Sequence, residues 1–242
     1  SGTTPPAPSP APPPARRPRV AIVANVMPPY RLHAHRRIAR ELREAEVFTL
    51  LTHGEGDQPW SRGDAPELNV VEFGPADALL STPKVSRREW AKGGRLCRWL
   101  DEQRADAVLL CGYDDAARLR VLLWCKARGV PVFLWTDGNI ASDHARGLKL
   151  LAKHAYLQPV LRAFDVLMPS GTLGARLLRR YGGSPAKMIF WPLEPDYAAI
   201  RAVTAADAAA MRARFGLRED RRRVLCCSRL VAHKKVDHAV RA

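Results

Sequence analysis

No stretch of this 242-residue chain is apolar for the roughly 18–20 residues that a membrane span needs. Residues 1–18 are crowded with Pro and Ala and contain no apolar h-region, so they read as an extended, disordered leader and not as a secretory signal. The five cysteines (Cys97, Cys111, Cys125, Cys226 and Cys227) contain no Cys-x-x-Cys pair, and no histidine stands at finger-like spacing from them. Zinc and disulfides are therefore disfavoured. Cys111, Cys226 and Cys227 fall in apolar, strand-like runs, where a reduced thiol acts as a small core residue, and a reducing cytoplasm is the expected location. There is no glycine between residues 25 and 31, the loop after the first apolar run, so the Gly-x-Gly-x-x-Gly of a dinucleotide site is missing. Pro28 and Pro29 in that loop offer no N–H to a pyrophosphate. A Walker loop is absent as well, which sets NAD-dependent and P-loop chemistry aside. No internal repeat of solenoid length is present.

What the chain does have is positive charge and enough apolar residues for a core. The formal net charge is +15 and the hydrophobic content 47%. Such a charge suits nucleic acid, anionic lipid or phosphorylated substrates, and it also arises when base composition fills lysine positions with arginine. Nucleic acid is not expected as a partner, because no helix-turn-helix, RRM-like motif or set of interleaved aromatics accompanies the charge.

Strand-like and helix-like runs alternate after the leader. Strands are predicted over residues 19–26, 46–52, 68–73, 107–112, 130–136 and 165–169, and helices over 31–44, 86–104, 115–128, 148–164 and 172–181. Gly93 and Gly94 weaken the middle of the second helix, and Gly182-Gly183 stops the fifth. Strands apolar on both faces, alternating with helices, imply an α/β domain with a doubly wound, Rossmann-like parallel sheet over residues 19–192. Residues 193–222 read as a connector with a helix over 205–215. A further strand at 224–227, a loop bearing Arg229 and Lys234 and a helix starting near Val236 read as the opening of a second Rossmann-like domain, truncated at residue 242. Two cations just beyond a strand end and beside a helix start suit a diphosphate.

Ligands of open α/β sheets bind beyond the carboxyl ends of the strands. The loops 27–31, 53–60, 111–115 and 136–144 qualify. On the helix 31–44, Ala34, Ile38, Leu42 and Ala45 share one face, and His33, Arg36, Arg37, Arg40 and Arg43 fall largely opposite. That cationic face reads either as a contact for anionic lipid headgroups or as a solvated surface. Asp114-Asp115 suits a helix N-cap. Asp137-Gly138-Asn139 reads as a turn or as a source of one polar cleft residue, Asp137. Trp60 and Trp135 suit an acceptor pocket or the core. His144 and His154 lack partners at metal-ligand spacing.

Three stretches, taken in order, resemble family-4 glycosyltransferases of the GT-B fold. Pro29-Tyr30-Arg31 before a helix is similar to a first-loop motif of one subgroup. Phe164-Asp165-Val166-Leu167-Met168-Pro169-Ser170, followed by a helix, Tyr181-Gly182-Gly183 and Lys187-Met188-Ile189, resembles the end of the acceptor domain. Ser228-Arg229-Leu230-Val231-Ala232-His233-Lys234-Lys235-Val236-Asp237 resembles the Gly-Arg-Leu-x-x-x-Lys-Gly-x-Asp segment that opens the donor domain. The resemblance implies two Rossmann-like halves around a cleft. It implies metal-independent sugar transfer, with retention, from a nucleotide-sugar co-substrate to a glycan or lipid-linked acceptor, in polysaccharide or glycolipid assembly. Arg229 and Lys234 match the pair that holds the donor diphosphate, Tyr30 and Arg31 would address the acceptor, and Asp137 would stand near the reacting sugar. Ser228 and Lys235 replace two family glycines, Thr136 replaces a family histidine, and the Glu-x7-Glu motif would fall beyond residue 242. Weak or absent turnover by the 242-residue chain is the expectation. Peripheral contact with an anionic inner membrane face is compatible with this reading. A non-catalytic acceptor- or lipid-binding module and another GT-B enzyme, such as a sugar-nucleotide 2-epimerase, are the alternatives.

Overall fold

The computed structural model describes residues 16–54, 65–74, 84–218, 220–223, 225–226 and 235–241. Six strands, β1 (Arg19–Ala24), β2 (Glu46–Leu51), β3 (Val70–Glu72), β4 (Ala107–Cys111), β5 (Val132–Thr136) and β6 (Val166–Pro169), form one parallel sheet in the order β3-β2-β1-β4-β5-β6. The register pairs Ile22 with Thr49 on one side and with Leu109 on the other, and Leu134 with Leu167. The order reverses between β1 and β4. At such a switch point the loops leaving two adjacent strands diverge and open a crevice.

Successive residues of β1 point to opposite faces of the sheet, and both faces are covered. Ala21 and Val23 join a core cluster with Leu96, Cys97 and Leu100 of α2 (Arg87–Glu102) and Val121, Leu122 and Cys125 of α3 (Ala116–Arg128). Leu157, Val160 and Leu161 of α4 (Gly147–Ala163) and Leu177 and Leu178 of α5 (Thr172–Arg180) complete it. Ile22 and Ala24 join a second cluster against Leu32 and Ile38 of α1 (Pro29–Glu41) and Trp191. This explains the unbroken apolar runs: each strand has a core on either side. Leu50, Leu110 and Leu134 have no exposed surface, and each such burial contributes about 1.5–3 kcal/mol.

The helix ends follow local chemistry. Ser86 accepts a hydrogen bond from the Glu89 N–H (3.1 Å) to start α2, and Asp115 accepts one from the Arg118 N–H (2.8 Å) to start α3. Gly129 and Gly182 end α3 and α5 with φ of +66° and +87°. Gly93 does not interrupt α2. A Cβ there would lie 2.8 Å from the Ala117 carbonyl oxygen, so the residue lets α2 and α3 approach closely. The strand predicted at 68–73 is shorter, because Pro66–Leu68 form a single 3₁₀ turn and Asn69 takes a left-handed conformation. After α5, residues 188–191 run beside β6. The Ile189 and Trp191 N–H groups donate to Leu167 and Pro169 carbonyls, at 3.0 and 3.1 Å.

Residues 196–242 form a separate compact unit. Among its described residues are three helices, α6 (Tyr197–Arg201), α7 (Ala205–Arg214) and α8 (Val236–Arg241), and no strand. Thr204 and Asp207 cap α7 reciprocally. Of the strand predicted at 224–227, the described Leu225 and Cys226 carry no strand conformation. Arg229 and Lys234 lie outside the described residues, as does Trp60.

Candidate functional site

A cavity of about 480 Å³ opens at the carboxyl edge of the sheet, at the switch point. The end of β1 supplies Asn25, and α1 supplies Arg31. The loop after β4 supplies Gly112, Tyr113 and Asp114, the loop after β5 supplies Thr136, Asp137 and Gly138, and α4 supplies Lys153. Three of the four predicted loops therefore meet here. From the fourth, 53–60, the described His53 and Gly54 do not line the cavity, and the remainder lies outside the described residues.

Two buried polar atoms of the lining residues, Asn25 Oδ1 and Arg31 Nε, make no hydrogen bond among the described residues. Arg31 is held in place by its Nη1, which donates to the Val26 carbonyl (3.4 Å), and by stacking, its guanidinium lying 5.0 Å from the Trp135 ring centroid. An unsatisfied buried donor of a cation costs free energy unless a ligand accepts from it.

Charges of both signs surround the cavity: Arg31 and Lys153 face Asp114 and Asp137. Burial pushes the Cys111 thiol pKa up, while the charges of Arg31 and Arg118 pull against that rise and Asp137 supports it. Arg118 is 1% exposed and pairs with Asp115 and, at 3.8 Å, with Asp114. Its Nε and Nη2 have no hydrogen-bond partner among the described residues. Burial works against the Asp114 carboxylate, but the Lys84 ammonium outweighs it and the pKa falls.

Lys153 reaches the cavity because Asp143 holds it there. Lys153 Nζ donates to Asp143 Oδ1 (2.8 Å), and the Tyr181 hydroxyl donates to Oδ2 (2.5 Å). Burial disfavours both charges, yet these bonds dominate: the Asp143 pKa is pulled down to about 2 and that of Lys153 is raised. Lys153 therefore stays an ammonium at neutral pH. Nothing in the spacing of residues 143, 153 and 181 marks them as a unit, and sequence reasoning missed them.

A narrow apolar slot adjoins the cavity and shares Arg31, Cys111 and Trp135 with it. Tyr30, Leu109, Trp191 and Leu193 line its walls. Trp135 Nε1 donates to the Trp191 carbonyl (3.1 Å), which fixes the indole between slot and cavity. Of the sequence-predicted residues, Arg31 and Asp137 thus share one cavity, and Tyr30 lines the neighbouring slot. Trp135 serves both the core and the wall.

The predicted faces of α1 need correction. Its buried residue is His35, 4% exposed and hydrogen-bonded through Nδ1 to Thr49 Oγ1 (2.9 Å), while Leu42 is 37% exposed. Burial, reinforced by the Arg31 charge, lowers the His35 pKa to about 3, so it packs as a neutral ring. Three of the four outward arginines form ion pairs: Arg36 with Glu67 (2.7 Å), Arg37 with Glu41 (2.9 Å) and Glu194 (2.5 Å), and Arg40 with Glu41 (3.4 Å), while the exposed Arg43 forms none among the described residues. This removes much of the cationic face that would have met anionic headgroups.

No protein-family model matches the sequence, and no curated protein is similar to it in sequence. Solved structures share its fold. A glycosyltransferase from Rickettsia africae ESF-5 superimposes with a TM-score of 0.55 at 10% identity, over 85% of this chain and 51% of that one. Anabaena HepE, in complex with UDP and glucose, superimposes with a TM-score of 0.53 at 10% identity, over 82% of this chain and 50% of that one. The chain spans about half the length of these two proteins. The likeness is one of fold: a Rossmann-like parallel sheet flanked by helices, of the GT-B type.

Proposed function

We propose that the chain carries the acceptor side of a family-4-like glycosyltransferase, which moves a sugar from a nucleotide-sugar to a glycan or lipid-linked acceptor with retention and without a metal ion. The observation that carries the reading is the cavity at the switch point, where Arg31, Lys153 and Asp137 converge in a fold shared with a glycosyltransferase and with a protein that binds UDP and glucose. The Arg31 guanidinium, stacked on Trp135 and shared by the cavity and the slot, supports a role in gripping acceptor oxygens, and Tyr30 in the adjoining slot supports apolar contact with the same molecule. Asp137, on the cavity wall, is the polar group assigned to the reacting sugar. Arg229 and Lys234 are assigned to the departing nucleoside diphosphate. Its negative charge grows as the glycosidic bond lengthens, and fixed cations aimed at that charge lower the barrier most in the transition state.

The test is transfer of labelled sugar from a panel of nucleotide-sugars by the protein in the form the cell makes, with product configuration read by NMR. R229A and K234A should each lower kcat about 10²–10³-fold. R31A should raise the acceptor KM with less effect on kcat, and D137N should act mainly on kcat. Chelators should leave the rate unchanged. Unaltered rates in R229E and K234E would refute the assignment of the diphosphate, and acceptor binding without any transfer would turn the reading to a non-catalytic module.

A further inference from the structure

Helix α4 is apolar on two opposite sides. Leu157, Val160 and Leu161 face the core. On the outer side Leu148 is 84% and Leu151 66% exposed, and Ala152, Ala155 and Pro159 are exposed with them. At one residue per 100°, these five fall within an arc about 100° wide that runs about 17 Å along the helix. Tyr156, 47% exposed, borders the arc. A surface helix ordinarily turns polar side chains outward, and a helix apolar all round is covered by something.

The charges around the stripe indicate what covers it. α4 contains no Asp or Glu. Arg146 and Lys149 are exposed near its first turn and Arg162 at its last, and none of them makes an ion pair among the described residues. The nearby Asp143 is turned inward, bound by Lys153 and Tyr181. The ends of the stripe are therefore cationic, while on the Tyr156 border Asp114 and Asp115 come within electrostatic reach, Asp114 being paired with Lys84 and Asp115 with Arg118. A second copy of the same surface would set cation against cation. A bilayer with anionic headgroups complements both features, since leucines enter the interface while Arg and Lys meet phosphates. We infer that α4 is a membrane-docking helix, which lays Leu148, Leu151, Ala152, Ala155 and Pro159 into an anionic lipid surface and rests Arg146, Lys149 and Arg162 on its headgroups. Lys153, on another side of the same helix, lines the cavity, so docking fixes the cavity close to the bilayer. Among the described residues no helix is long and apolar enough to cross a membrane, and the contact is peripheral.

The experiment is flotation of the full chain with vesicles of phosphatidylcholine alone, and of phosphatidylcholine containing one-third phosphatidylglycerol. The chain should float with the anionic vesicles and remain behind with the neutral ones. L148S/L151S should lower the vesicle partition coefficient about tenfold or more. R146Q/K149Q should lower it about tenfold or more on anionic vesicles at low salt, and R37Q/R40Q on α1 should leave it unchanged. Both leucines are solvent-exposed, so circular dichroism melts should show the variants as folded as the parent. Three results would each overturn the inference: no flotation of the parent, flotation undiminished in L148S/L151S, or a dimer that L148S/L151S dissociates without any vesicle binding. Nucleotide-sugar chemistry plays no part in this measurement, so its outcome is separate from that of the transfer assay.

Discussion

Asp143 joins the stability of the domain to the electrostatics of the cavity, and replacing it with asparagine separates the two. In the native protein its side chain is 5% exposed, and it accepts from Lys153 Nζ at 2.8 Å and from the Tyr181 hydroxyl at 2.5 Å, with Arg180 Nε at 3.6 Å. Hydrogen bonds to a charged group contribute about 1.5–3 kcal/mol each. Asparagine keeps the shape and one acceptor oxygen but loses the charge, and it leaves the Lys153 ammonium beside a neutral amide. D143N should therefore lose about 2–4 kcal/mol, a large share of the roughly 5–15 kcal/mol that holds a domain folded. Urea denaturation at neutral pH should show a lower midpoint with an unchanged m-value.

The pH dependence gives the same prediction a second edge. The folded pKa of Asp143, about 2, lies below its ordinary value of 3.8. A depressed carboxylate stabilises the fold fully above its unfolded pKa, and that stabilisation fades as pH falls toward the folded pKa. The gap between parent and D143N should thus be widest at neutral pH and narrow below about pH 4. In the transfer assay D143N should raise the acceptor KM more than it lowers kcat, because Lys153 loses its anchor. A stability gap below about 0.5 kcal/mol at neutral pH, or one that stays constant as pH falls from 4 toward 2, would refute the reasoning.

Two further predictions concern the buried charges. Lys92 and Glu89 are 2% and 3% exposed and pair at 2.7 Å. K92M strands a carboxylate in the interior and should cost about 3–5 kcal/mol in urea denaturation, whereas K92M/E89M should recover most of that loss. His35 is neutral in the fold, with a pKa of about 3 against 6.5 when free. The unfolded chain takes up a proton there first, so stability should decline as pH falls from about 6.5 toward 3. H35N should flatten that limb in thermal melts followed across the same pH range.

The strands and their order in the chain were legible because burial on both faces leaves a mark. Ile22 and Val23 point opposite ways and both need an apolar residue, a pattern that a one-sided sheet would not show. The helix start at Asp115 and the stop at Gly182 were legible too, since each residue satisfies a backbone need that is local in the chain. What escaped was everything that depends on distant partners. Gly93 looks like a defect in a helix until α3 is seen lying against it. His35 and the Lys92–Glu89 pair look like surface residues because periodicity arguments treat polar side chains as outward-facing. Arg31 and Asp137 were reachable through the loops that follow strands. Lys153 was not, because its place at the cavity depends on Asp143 and Tyr181, 10 and 38 residues apart in the paired hydrogen bonds.

Net charge alone is a poor guide to the partner of this protein. Its +15 would suit a polyanion of any kind, and the α1 arginines seemed the natural place to receive one. The structure pairs Arg36, Arg37 and Arg40 with Glu41, Glu67 and Glu194, so much of the charge on that face is offset within the domain. Among the exposed cations without an ion pair, Arg146, Lys149 and Arg162 border a row of exposed apolar side chains. That juxtaposition separates the candidate partners. A nucleic acid backbone is charged along its length, gains nothing from Leu148 and Leu151, and binds with a steep salt dependence set by the number of phosphates contacted. A lipid surface uses both the leucines and the cations, so its binding should respond to the leucines even where salt has screened the charges. The arrangement of charge around apolar surface, and not its total, is what favours the bilayer.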